Sequence, residues 1–103
     1  MIYRLLPRAI ERQYQIWDYT PDSWGLKQAD TYIRNLHQTI ERAYDNRAIW
    51  RRVQGFDQVY FIRHEHHRIF FRELDHGVLG VITILHENMD LPARLKDDVG
   101  EGR

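Results

Sequence analysis

Between Phe61 and Arg72 the chain places Arg63, Arg68 and Arg72, and also His64, His66 and His67, around a single acid, Glu65. Three kinds of chemistry suit such a cluster. Imidazoles two residues apart on a strand share one side, a spacing known among zinc ligands. Arg63 and Arg68 flank these histidines, however, and a closed site needs three or four ligands, so a solvated turn is expected and no metal site. Guanidiniums interleaved with Phe61 and Phe70 suit the second chemistry, recognition of carboxylate or phosphate beside an apolar surface. The third centres on His86, which ends an apolar run just before Glu87, Asn88, Met89 and Asp90. An imidazole there would serve as general acid or base, or more simply as a hydrogen-bonding strand end.

Charge supports the second reading. Lys+Arg and Asp+Glu each number 15, so the formal net charge is zero. Residues 47–72 hold six arginines against Asp57 and Glu65, a local +4 balanced by −4 elsewhere. A neutral total thus conceals a basic segment. Thiol catalysis, disulfides and Cys-ligated zinc are excluded by the absence of cysteine. The lone serine, Ser23, has no Gly-x-Ser-x-Gly context, which argues against a serine hydrolase. No apolar run approaches the ~18 residues of a membrane span, and the N-terminal residues do not read as a signal peptide. No cofactor is expected.

The elements that must position these residues follow from periodicity. Residues 2–6 read as a strand ended by Pro7. A helix follows, with Ile10, Tyr14 and Trp17 on one face and a break at Pro21. Leu26, Ala29, Ile33, Leu36, Ile40 and Ala43 recur at alternating spacings of three and four, which predicts a second helix antiparallel to the first. Residues 47–57 read as a connector anchored by Ile49, Trp50 and Val53. Strands over 58–63, 68–74 and 78–86 are joined by links short enough for hairpins. Residues 96–103 read as a frayed tail beyond a domain of residues 1–95. The order predicts an α+β domain, with a helical hairpin on one face of a small antiparallel sheet.

A first hairpin turning on Glu65-His66 sets Arg63 against Arg68, Phe61 against Phe70 and Val59 against Arg72. One face then reads Val59, Phe61, Arg63, Arg68, Phe70, Arg72; the other reads Tyr60, Ile62, Ile69, Phe71. The second should pack on the helices and the first should lie open as an anion- or peptide-binding surface. A one-residue slip reverses every assignment.

Three segments resemble ParE toxins of the RelE/ParE superfamily: Ile16-Trp17-Asp18-Tyr19-Thr20 with Trp24-Gly25 and Gln28-Ala29; Ile69-Phe70-Phe71-Arg72; and Ile84-Leu85-His86-Glu87-Asn88-Met89-Asp90. The resemblance spans about Tyr3 to Leu95 and departs from the family at Thr83, where many members carry Arg. It implies a bacterial, cytoplasmic toxin of a type II toxin–antitoxin module, with two helices packed on an antiparallel sheet. The partners it implies are a cognate antitoxin that wraps the toxin and, as target, DNA gyrase; operator DNA would be reached only through the antitoxin, and no membrane is involved. The alternatives are a RelE-like, ribosome-dependent mRNA endoribonuclease using Arg63, Arg72 and His86, and a non-toxic autoregulatory protein. An inhibitory binding protein is favoured over an enzyme, because Glu87 beside the phosphate site would repel the substrate and no lysine lies in the strands. Trp17, Trp24, Tyr32 and Trp50 join Phe61, Arg63, Arg68, Phe70, Arg72 and His86 as candidate target- or antitoxin-binding residues.

Overall fold

A computed structural model describes residues 2–19 and 26–101. Strand β1 (Tyr3–Leu5) leads through Pro7 into helix α1 (Pro7–Tyr19), followed by α2 (Leu26–Asp45). A single 3-10 turn and the two-residue strand β2 (Arg51–Arg52) come next, then β3 (Tyr60–His64), β4 (His67–Glu73), β5 (Leu79–His86) and helix α3 (Leu91–Glu101). The strands form one sheet in the order β1-β5-β4-β3-β2. The hairpins make β2 to β5 antiparallel, whereas β1 returns to the far edge and pairs parallel with β5, so the sheet is mixed. The predicted α+β architecture is observed, with two strand features beyond it: the parallel β1 and the short β2 inside the connector.

The β3–β4 register matches the expected one. Arg63 opposes Arg68, Phe61 opposes Phe70, and the hairpin turns on Glu65-His66. The helical hairpin covers Ile62, Ile69, Phe71, Val81 and Ile84 with Ala9, Tyr32, Leu36, Ile40 and Ala43. Along α2 the predicted seam holds, except that Tyr32 is buried and Ile33 half-buried. Leu26 and the Pro21 break lie outside the described side chains and residues, respectively.

The opposite face departs from expectation because it is not open. Phe70 and Leu85 pack against Leu95 of α3, with Leu91, Val99, Val53 and Phe56 around them, and Phe70 is only 2% exposed. Val59 is likewise buried, beside Leu6 and Ile82. Helix α3 supplies this cover, beginning inside the expected domain and continuing through residues 96–101 of the expected tail. Leu91, Leu95 and Val99 recur every four residues and line one helical stripe, and the helix starts where Asp90 faces the Ala93 N–H at 3.5 Å. The acids and glycine of the segment suggest fraying only until its apolar stripe meets the sheet.

Helix α1 also presents another face than expected. Among its described side chains the buried ones are Ala9 and Arg12, with Ile16 half-buried, while Ile10 is 41% and Tyr14 65% exposed. Small Ala9 lets α1 approach β5. Arg12 is drawn inward by Asp98 of α3, itself 1% exposed: Nε and Nη2 of Arg12 donate to Asp98 at 3.2–3.3 Å. Arg8 Nε lies 3.3 Å from Asp98 Oδ1, and the Thr83 hydroxyl donates to Oδ2 at 2.7 Å. A bulge aims Thr83 at this network. Phe70 opposes Thr83 but Phe71 opposes Val81, so Ile82 has no partner in the ladder. Both Ile82 and Thr83 then serve the α3 face. A large cation in the position of Thr83 would have no room in a site already occupied by Arg12.

Asp98→Ala strips the buried Arg12 of its counter-ion and should cost about 3–5 kcal/mol. Leu95→Ala should cost about 2–5 kcal/mol by opening a cavity under α3. Urea unfolding midpoints check both; values within error of the unsubstituted chain would mean that α3 is not part of the cooperative fold.

Candidate functional site

The predicted residues divide between the two faces of the sheet. At the hairpin end, pairing lines up His64, His67 and His86 across three strands. Their side chains lie on the α2 side, so they are not the solvated turn expected. His64 Nδ1 is 2.8 Å from the Thr39 hydroxyl, and His67 Nδ1 is 2.5 Å from the Tyr32 hydroxyl. Tyr32 packs edge-on against both rings. His86 meets His67 edge-on at 5.1 Å and accepts a hydrogen bond from the Asn88 N–H. Of the three clustered histidines His64, His66 and His67, His66 is the exposed one. The histidines thus pin α2 to the sheet, a role the sequence hid because Tyr32 and Thr39 belong to a distant helix. A third pin works alike: His37 bridges Tyr3 of β1 and Gln13 of α1.

Burial sets the protonation of these pins. Desolvation, assisted by His86, His64 and His66, lowers the pKa of His67 to about 4. Burial also lowers the pKa values of His64 and His37 and raises that of the Tyr32 phenol. His67 is therefore neutral in the fold.

Beside His86, between α1 and the end of β5, lies a cavity of about 460 Å³ lined mainly by Ile16, Gln15, His67, Ile84, His86 and Met89. Sequence reasoning missed it. Its residues come from both ends of the chain, and only the histidine of the Leu-His-x-x-Met-Asp ending hinted at a site there.

On the other side the arginines behave individually. Arg63 Nη2 donates to Glu87 at 2.7 Å, and Glu87 also holds His66 at 2.9 Å. The hydrogen bond from His66 and the charge of Arg63 lower the Glu87 pKa. Arg68 lays its guanidinium over the Phe61 ring at 5.0 Å. Like charges directly opposed in a ladder repel, and the separate partners of Arg63 and Arg68, Glu87 and the Phe61 ring, offset that repulsion. The Nε atoms of Arg68 and Arg72 are buried without a hydrogen-bond partner, and neither residue has a carboxylate partner among the described residues. Arg51, paired with Phe61 across β2–β3, completes a cleft of about 230 Å³ with Arg63, Arg68, Phe61 and Ile49. No acid lines it. The rim of the predicted basic face therefore remains accessible at the β2 edge, while its centre at Phe70 is covered.

The trio Arg63, Arg72 and His86 is not assembled. His86 lies on the α2 side and the two arginines on the α3 side, with Arg63 already engaged by Glu87. Of the tryptophans, Trp17 is half-buried and donates to Asp30 of α2 at 3.1 Å. Trp50 donates to the Ala43 carbonyl and packs on Tyr60 and Phe71, with Arg47 over its ring. Both serve packing between elements. Trp24 lies outside the described residues. Among the described residues no group of three or more His, Asp or Glu is arranged to hold a metal ion, and no helix is long and apolar enough to cross a membrane.

Comparison with known proteins matches this architecture to one family. The family profile described as ParE toxin of type II toxin-antitoxin system, parDE, matches residues 3–91. Toxin ParE1 of Mycobacterium tuberculosis is 35% identical over 94 residues, covering 90% of this chain and 96% of that protein. Toxin ParE of Escherichia coli is 35% identical over 80 residues, covering 77% and 78%. A solved structure titled Chromosomal ParDE TA system from P. aeruginosa superposes with a TM-score of 0.70 at 14% identity, covering 84% of this chain and 95% of that one.

The neutral histidine pins have a pH signature. His67 binds fewer protons folded than unfolded between the unfolded value of 6.5 and about 4. Its contribution is therefore present above pH ~6.5 and lost as pH falls through that window. Urea stability should drop between pH 7.5 and 5, and His67→Gln should shrink that drop; an unchanged drop would locate the titration elsewhere.

Proposed function

The chain belongs to the ParE family of toxins from type II toxin–antitoxin systems, and on that premise we propose that it acts in the bacterial cytoplasm as a binding inhibitor of DNA gyrase, held inactive by a cognate antitoxin. The observation that carries the non-enzymatic reading is the separation of Arg63 and Arg72 from His86 by the sheet itself. Cleavage of RNA needs a base, an acid and a cation around one phosphate, and these groups do not share a face. What the α3 side offers is recognition. Arg51 and Arg68, without carboxylate partners among the described residues, line an acid-free cleft in which the Arg68 guanidinium lies over the Phe61 ring. Arginine beside an aromatic ring is a common composition for binding hot spots. Glu87, which ties Arg63 and His66, suits a protein partner better than a polyanion.

Added to a gyrase supercoiling reaction, the purified protein should block it. Substituting Arg51→Glu together with Arg68→Ala should weaken the block by about tenfold or more, with the urea midpoint largely retained. Undiminished supercoiling, with mRNA cut on ribosomes instead, would overturn the proposal in favour of the RelE-like alternative.

A further inference from the structure

The sheet has a second edge, and it is unlike the first. Strand β1 is the outermost strand opposite β2. Its inward bonds are defined: the Ile2 carbonyl accepts from Leu79 N–H at 3.0 Å, and Leu6 N–H donates to the Val81 carbonyl at 2.9 Å. In a parallel ladder alternate residues face one neighbour, so Ile2, Arg4 and Leu6 point their amides at β5. Tyr3 and Leu5 point theirs outward, and neither has a backbone partner there among the described residues. Pro, Lys or a bulge commonly protects such an edge, yet none interrupts residues 3–5. Beside it runs a groove of about 420 Å³ lined by Ile2, Tyr3, Arg4, Leu5 and Ile10. Ile2, Ile10 and Tyr14 are among the large hydrophobics the fold leaves exposed, and Tyr14 extends the stripe one turn along α1.

An open edge, an apolar stripe on its α1 side and a lone cation, Arg4, on its α3 side describe a seat for one more strand. We infer that β1 and the outer face of α1 receive an extended segment of the cognate antitoxin, added to β1 as a sixth strand. Its side chains alternate: apolar ones lie against Ile10 and Tyr14, and an acidic one beside Arg4. The inference rests on the toxin–antitoxin reading above. A second copy of this chain fits less well. The two-fold register that uses Tyr3 and Leu5 of both copies sets Arg4 directly opposite Arg4, where like charges repel.

Amide hydrogen exchange of the purified toxin–antitoxin complex tests this. In the free protein Arg4 should already be protected and Tyr3 and Leu5 should exchange fast; in the complex the latter two should slow by about tenfold or more. Ile10→Lys with Tyr14→Lys should weaken antitoxin binding at least about tenfold without moving the urea midpoint, since both side chains are exposed, and Arg4→Glu should weaken it severalfold. A complex in which Tyr3 and Leu5 exchange as fast as in the free protein overturns the inference and leaves the toxin–antitoxin reading intact. No complex at all overturns both. Slowing that appears without antitoxin as protein concentration rises assigns the edge to a second copy and overturns the inference.

Discussion

One buried carboxylate holds the molecule in its observed arrangement. Asp98 sits almost wholly out of solvent and accepts from Arg12 of α1 and Thr83 of β5, with Arg8 alongside. A charge so placed is tolerable only with its partners in contact, because desolvation otherwise costs several kcal/mol. The requirement runs in both directions. Arg12 can turn inward only if α3 brings Asp98, and α3 can lie on the sheet only if α1 brings Arg12. The bulge at Ile82 exists in the same context, since it turns Thr83 toward the shared carboxylate. N-terminal helix, central strand and C-terminal helix are thereby made to fold together.

With α3 in place, the sheet is covered on both sides, and this decides where a partner can reach it. Phe70, at the middle of the basic, aromatic face, becomes core. What remains accessible is peripheral and includes the arginine cleft at the β2 edge, the apolar groove at the β1 edge and the cavity beside His86 at the end of β5. The two edges differ in character. One is lined by Arg51, Arg63 and Arg68; the other by Ile2, Leu5 and Ile10 with a single arginine. The proposed target site and the proposed antitoxin seat are therefore separate places on the sheet.

Local patterns in the chain were readable and long-range ones were not. The β3–β4 register followed from a two-residue link, because a short loop leaves few registers and the alternation of apolar residues selects among them. The seam of α2 was equally plain. In contrast, Ile10, Tyr14 and Trp17 have the spacing of a buried face, yet the buried face of α1 carries Ala9 and Arg12. Nothing near Arg12 in sequence announces its partner, which is 86 residues away. His64 and His67 misled for the same reason, since their polar neighbours look like a turn until Thr39 and Tyr32 arrive from α2.

From the sequence alone come the element order, the alternation that separates Arg and Phe from the helix-covered face, and motif resemblances sufficient to point to the ParE family. Periodicity and short connections act over a few residues, so they survive in one dimension. Tertiary structure decided which of those faces stays accessible, which arginines keep free hydrogen-bonding capacity, and that His86 and the arginines occupy opposite sides. Those outcomes depend on where a buried charge finds its counter-ion and where an apolar stripe finds its cover, and both partners are supplied by segments far apart in the chain.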